Sequence, residues 1–349
     1  MGNNTSAIEV GGFSESGPSS FVDASNLSAR IAAAYIKAVE TPVGSTKSMW
    51  LAGPMFELKA NLHDILTSND ARQVEGLLSD PGATDFLYGF EDNAVSLHIP
   101  NDHSRQQSLL AGQNEQVLQL AEALGVTRVR RAESGFAAEA GLEEVLQRLD
   151  DAFGMRIDFP NPYPRESGLV TGRGILTYRA TQALYQAFRV KQLTQGIANP
   201  RILEIGAGSG RTAYYAWRMG LQDYTIVDLP LTCAASANFL GRALGAGSVS
   251  VYGEQPSPGV EIIPPHEFFS RDDEFDLVIN VDSITEMARE TADAYFAEIN
   301  KRAGLFLSIN HEANSFTARD LYGPQCISRS PFWMRTSYVE ELVKTERGR

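Results

Sequence analysis

Three glycines, Gly206, Gly208 and Gly210, stand at every second position after the apolar run "RILEI", and Glu204 lies two places ahead of the first. Such a turn tolerates positive φ and carries no Cβ, so its backbone can approach a bound nucleotide closely. A dinucleotide fingerprint, G-x-G-x-x-G, seats pyrophosphate on the following helix. Here the third glycine comes one place early and Arg211 takes its position. The Glu204 carboxylate repels pyrophosphate but suits a cofactor that carries a sulfonium and an ammonium group. Asp228 closes the next apolar run, 22 residues after Gly206, where an acid accepts hydrogen bonds from ribose hydroxyls. Its competing role is to cap the helix that starts near Leu231. Leu229 would then lie against an adenine. Pro265 and His266, in "IIPPHEFF", are candidates for the same pocket, and His266 is equally able to be a plain helix-start residue.

Two polar clusters follow later apolar runs. After "FDLVIN" come Asn280, Asp282, Ser283 and Glu286, and after "GLFLSIN" come Asn310, His311, Glu312 and Asn314. Imidazole titrates near neutrality, so His311 can take a hydroxyl proton while Asp282, Glu286 and Glu312 hold neighbouring hydroxyls. In a second use, Asp282, Glu312 and Glu286 bind Mg²⁺, although their spacing matches no compact metal motif. In a third, Glu286 and Glu312 clamp a guanidinium or amine. A capping box, with Ser283 or Asp282 as cap and Glu286 as its partner, is the competing structural role of "SITE".

The elements that must position these residues are legible from periodicity. From Arg201 onward, short apolar runs alternate with helical patterns: "RILEI", "YTIVD", "SVSVY", "VEII", "FDLVIN" and "GLFLSIN" between helices. That alternation predicts a parallel sheet with helices on both faces. Amphipathic spacing predicts helices near 27–39, 58–66, 71–78, 109–124, 142–153 and 176–193. Residues 1–26, rich in Ser, Gly and Asn, read as a flexible tail or arm. The expected division is thus 1–26 as tail, 27–174 as a helical domain and 175–349 as the sheet domain. The helical part would lid the acceptor site or form a homodimer interface. Pro160, Pro162 and Pro164 mark an extended boundary.

The chain has 349 residues and a formal net charge of −13. No cluster of Lys and Arg suits a nucleic acid; Arg128, Arg130 and Arg131 are the densest group and read as a solvated loop. Cys233 and Cys326 lack the spacing of a zinc or disulfide framework. The first basic residue is Arg30, which lacks the pattern of a signal peptide, and no apolar run suits a membrane span. A cytoplasmic protein with a small-molecule partner is expected.

Glu204 with Gly206, Gly208 and Gly210 is the E-x-G-x-G-x-G pattern of S-adenosyl-L-methionine (SAM) methyltransferases. "LEIGAGSG", "YTIVDLP", "FDLVINVDSITEM", "SINHEA" and "PFWMRTSYVEEL" together resemble the sugar O-methyltransferase family, over about Gly172 to Leu342. The resemblance implies a Rossmann-like class I methyltransferase sheet preceded by a mostly helical region. It implies SAM bound by Glu204, Gly206, Gly208, Gly210, Asp228, Leu229, His266 and Asn280. It places the chemistry at His311, Glu312, Glu286 and Asp282, with a sugar-like hydroxyl as acceptor. N-methylation of a guanidino or amino compound such as free arginine is the alternative. An NAD-dependent oxidoreductase and a catalytically silent SAM-binding protein are the other readings. The stretch after "SINHEA" looks short for the helix and hairpin that usually close this sheet.

Overall fold

The computed structural model describes residues 25–41, 57, 59–89, 91, 103–128, 141–164, 166 and 168–348. Most of the expected tail, Leu58, Arg130 and Arg131 lie outside them, as do the side chains of Leu109 and Leu110. Contacts divide the described residues into one unit within 80–182 and a second within 25–79 and 183–348.

The first helices, α1 (Ser25–Val39), α2 (Ala60–Thr67) and α3 (Ala71–Ser79), belong to the second unit. The first unit holds α4 (His103–Ala123), α5 (Leu142–Phe153) and a small hairpin of β1 (Leu169–Thr171) and β2 (Gly174–Leu176). The division falls inside α6 (Tyr178–Leu193).

In the first unit, α5 buries Val145, Leu146, Leu149 and Phe153, the stripe expected from its sequence. It starts with Glu143 and Glu144, which favour the positive end of the helix dipole, and stops at Gly154 in the left-handed conformation. Asp150 lies on the buried face, and its carboxylate accepts bonds from Arg173 Nη1 at 2.7 Å and from the Ile157 N–H at 2.7 Å. Arg173 is buried and holds Glu143 as well, because only paired acids make its desolvation tolerable.

The second unit is built on the remaining elements. They are β3 (Ile202–Ile205), α7 (Arg211–Arg218), β4 (Asp223–Val227), α8 (Pro230–Leu244), β5 (Val249–Val251) and β6 (Gly259–Ile263). After these come α9 (Pro265–Ser270), β7 (Phe275–Val281), α10 (Arg289–Arg302), β8 (Ala303–His311), α11 (Ala318–Tyr322), β9 (Cys326–Pro331) and β10 (Tyr338–Lys344). The strands lie in the order β5-β6-β4-β3-β7-β8-β10-β9. The run from β5 to β8 is parallel, and β10 and β9 close the edge antiparallel. This is a Rossmann-like, mostly parallel α/β sheet with an antiparallel hairpin at one edge. The closing hairpin is complete, contrary to the shortened end expected from the sequence. A five-residue helix, α11, and a 3₁₀ turn at Gly323–Gln325 span the connection between β8 and β9.

Side chains alternate across β3. Leu203 and Ile205 join Val227, Val278 and Phe306 in a core against Tyr295, Phe296 and Ile299 of α10. Glu204 faces the other way. The strand order reverses at β3, with β4 on one side and β7 on the other, and the glycine turn leaves from that point.

Helices α1–α3 were expected in a separate domain, but they pack with the sheet. Leu27, Ile31, Tyr35 and Ala38 are buried along one stripe of α1. At Gly241 of α8 an added Cβ would stand 2.7 Å from the Leu27 side chain, so the two helices meet at that glycine. Asn238 donates to the Leu78 carbonyl at 2.8 Å, and Arg30 holds Glu254 at 2.7 Å. Truncating Leu27 leaves a hole that a fixed helix pair cannot close. Leu27→Ala is therefore expected to cost about 3 kcal/mol in urea unfolding of the full chain. A loss under about 1 kcal/mol would place α1 outside the cooperative unit.

Candidate functional site

The glycine turn is left-handed three times: φ is 78° at Gly206, 60° at Gly208 and 84° at Gly210. Gly206 also meets a packing demand. A Cβ there would sit 2.1 Å from Ser283 Oγ, which donates to the Ile205 carbonyl at 3.1 Å. Arg211, in the place where a dinucleotide site would put glycine, is buried, with its guanidinium 4.7 Å from the centre of the Phe239 ring.

Asp228, half-buried beyond the end of β4, accepts the Gly208 N–H at 3.1 Å and the Leu229 N–H at 2.7 Å. It therefore locks the turn to the neighbouring strand. The cap position of α8 belongs to Leu229, which makes no side-chain cap, so Asp228 does not play the competing role of N-cap. Burial raises its pKa to about 6, against the pull of the Leu229 and Gly208 amides. Leu229 is half-buried beside it. Glu204 is 2% exposed and accepts the Tyr224 hydroxyl at 2.9 Å. Burial lifts it to about 7, opposed by hydrogen bonds from Tyr224 and Thr212, while Asp228 pushes it further up. Thr212 in turn donates to Gln186 of α6 at 2.6 Å.

β6 rather than β5 lies beside β4, so "IIPPHEFF" follows the strand next to β4. His266, in the first turn of α9, has Nε2 3.1 Å from the Tyr252 hydroxyl, and its buried Nδ1 makes no hydrogen bond. Lys37 of α1 stands 4.8 Å from the centre of the Tyr252 ring.

Asn280, expected among the cofactor contacts, is fully buried and its amide is committed to the scaffold. Nδ2 donates to the Ile205 carbonyl at 2.7 Å and to Ser283 Oγ at 2.5 Å. Oδ1 accepts the Ile284 N–H at 3.3 Å and Asn310 Nδ2 at 3.0 Å. Its side chain has no donor or acceptor left for a ligand, which makes it a positioning residue. The "SITE" capping box also fails. Residues Ile284–Glu286 form a single 3₁₀ turn, and Ser283 makes no cap bond because its hydroxyl is spent on Ile205.

The four residues expected to do the chemistry do not converge. Asp282, at φ 55°, accepts Arg335 Nη1 at 2.7 Å and the Tyr338 hydroxyl at 2.8 Å. His311 pairs with Tyr338 across β8 and β10, with their rings edge to face at 5.1 Å. The half-buried Glu286 adds negative charge near the Tyr338 phenol, whose pKa is raised mainly by burial and then by Asp282. Glu312 belongs to another network. It is exposed and holds Arg329 at 2.6 Å, and the other arm of Arg329 holds the buried Glu341. Glu312 lies in the turn beyond the end of β8, where its pairing with Arg329 draws it away from the cluster. Among the described residues no group of three His, Cys, Asp or Glu side chains could hold a metal ion.

Sequence reasoning missed Tyr338 and Arg335, which anchor Asp282, and Ser283 as the reason for Gly206. The only sequence signal for the first two was their place in "PFWMRTSYVEEL". Nothing local connects that stretch to Asp282.

No protein-family profile and no curated protein matches the chain. Among solved structures it is similar to the glycopeptide N-methyltransferase MtfA complexed with SAM, at 15% identity over 47% of this chain and 94% of that one, with a TM-score of 0.37. It is also similar to magnesium protoporphyrin IX methyltransferase from Synechocystis PCC 6803 with bound SAH. That match has 11% identity over 48% of this chain and 84% of the other, with a TM-score of 0.35.

Two tests address the turn itself. Gly206→Ala forces a Cβ onto Ser283 in a left-handed backbone and is expected to cost about 2 kcal/mol or more in urea unfolding. Unchanged stability would mean that Ser283 is not held there. The raised carboxyls give a second. At mildly acidic pH the folded chain keeps protons on Glu204 and Asp228 that the unfolded chain has released. Folded protein thus binds more protons, and stability falls as pH rises towards 7. Between about pH 5 and pH 7.5, Glu204→Gln should flatten part of that decline in thermal unfolding. Identical slopes for both proteins would exclude a proton on Glu204.

Proposed function

We propose that this chain is a SAM-dependent methyltransferase that methylates an oxygen of a small polar molecule, with a sugar-like hydroxyl as the first candidate. The observation that carries the reading is the charge around the glycine turn. Two carboxylates, Glu204 and Asp228, flank it, and its neighbouring cation, Arg211, turns into the core onto Phe239. Pyrophosphate would meet repulsion there, whereas a sulfonium and an ammonium would meet attraction. This also sets the NAD-dependent reading aside.

In this reading the left-handed turn at Gly206, Gly208 and Gly210 presents backbone to the amino-acid end of SAM. Asp228 takes the ribose hydroxyls, and Leu229 and His266 flank the adenine. When bound, SAM supplies a methyl group on a positively charged sulfur. The chain's own part is to align the acceptor oxygen and exclude water. Glu286 and His311 would touch the acceptor at the ends of β7 and β8. Asp282, clamped by Arg335 and Tyr338, would hold that rim in shape. The alternative N-methylation of a guanidino compound such as free arginine needs Glu286 and Glu312 to face one cation. Glu312 is already paired with Arg329, which favours the oxygen reading.

Calorimetry with SAM and with NAD tests the class. SAM binding is expected, with Asp228→Ala weaker by roughly tenfold or more through loss of charge-assisted hydrogen bonds. NAD binding without any response to SAM would sink the proposal. Labelled SAM offered with a metabolite pool, followed by mass spectrometry, tests the acceptor. Label on nitrogen would defeat the oxygen assignment, and SAM binding without any transfer would favour a silent binder.

A further inference from the structure

His311 was expected to act as a base. We propose instead that it is a fixed hydrogen-bond donor, so that the molecule bound at the end of β8 must offer it an oxygen lone pair. The proposal rests on the methyltransferase reading only for what binds there.

The argument begins with the turn that follows β8. Asn314 N–H donates to the His311 carbonyl at 3.2 Å, and Glu312 N–H donates to the Ser337 carbonyl at 2.8 Å. This tight turn carries the Ala313 N–H onto His311 Nδ1 at 3.0 Å. A backbone N–H can only donate, so Nδ1 must present its lone pair. A neutral imidazole has one N–H, and with Nδ1 accepting, that proton sits on Nε2. Nε2 makes no hydrogen bond among the described residues. To take a further proton the ring would have to use Nδ1, at the cost of the Ala313 bond. Nothing in the geometry offers Nε2 as a base.

The ring is also held in orientation. It packs edge to face with Tyr338, whose hydroxyl is tied to Asp282. Asp282 is tied to Arg335, and the Arg335 guanidinium lies 3.9 Å from the centre of the Tyr338 ring. A donor locked at one nitrogen and packed against Tyr338 is a specificity device. Hydroxyl, ether, carbonyl and carboxylate oxygens can accept its proton. A protonated amine or a guanidinium has no lone pair to offer, and such a group is rejected.

Ring-nitrogen NMR of the full chain tests the tautomer without any acceptor. The chain has 5 histidines, and the His311 signals are assigned by their loss in His311→Gln. Near neutral pH the proton is expected on Nε2, with Nδ1 bare. A neutral ring protonated at Nδ1 would overturn the proposal. The role is tested by transfer from labelled SAM to the same metabolite pool. A glutamine amide N–H can stand in for Nε2–H but cannot act as a base. His311→Gln should therefore transfer at least roughly tenfold faster than His311→Ala, the worth of one hydrogen bond to a charged or reacting group. Equal loss in both variants, or no loss in either, would overturn it. Failure of the intact chain to bind SAM would count against the methyltransferase reading, and the NMR result would still decide the tautomer.

Discussion

One buried side-chain amide organises the carboxyl ends of the central strands. Asn280 ends β7 with both its donors and both its acceptor positions in use. It reaches the Ile205 carbonyl on β3, Ser283 and Ile284 in the next turn, and Asn310 on β8. A buried amide left unsatisfied costs on the order of 1–3 kcal/mol, so these bonds impose one arrangement on three strand ends. That arrangement brings Ser283 against residue 206, and only glycine leaves it room. The glycine turn is therefore shaped from below by the scaffold before any ligand arrives.

The same logic runs outward. The turn shaped at Gly206 is latched to β4 by Asp228, through two backbone amides. Burial raises the proton affinity of both Asp228 and Glu204, and Asp228 pushes Glu204 further up. Two carboxyls that give up their protons reluctantly thus stand beside the glycine turn. Further along the rim, Asp282 has a strained left-handed backbone held by Arg335 and Tyr338. Strain of that kind persists only where the surroundings over-determine it. Here the clamp fixes Tyr338, and Tyr338 packs against the His311 ring.

Local spacing made the sheet legible. Alternating apolar runs and helical stripes identified the parallel strands, the glycine turn and Asp228, because each depends on residues close in sequence. The helices α1–α3 show where such reading stops. The stripe Leu27, Ile31, Tyr35 and Ala38 states that α1 has an apolar partner. It does not state which partner, and a separate domain and the back of α8 demand the same stripe. The choice rests on Gly241, where the missing Cβ lets the two helices touch.

By itself the sequence determined the fold class and the glycine turn, since 3.6-residue and two-residue periodicity and a run of glycines are properties of short segments. Tertiary structure alone decided the polar rim. Asp282, His311 and Glu312 look like one cluster in the sequence. Glu312 lies past the end of its strand, and a carboxylate goes to whichever guanidinium the fold brings near. Glu312 went to Arg329 and Asp282 to Arg335, and the Ala313 amide settled which nitrogen of His311 is bare.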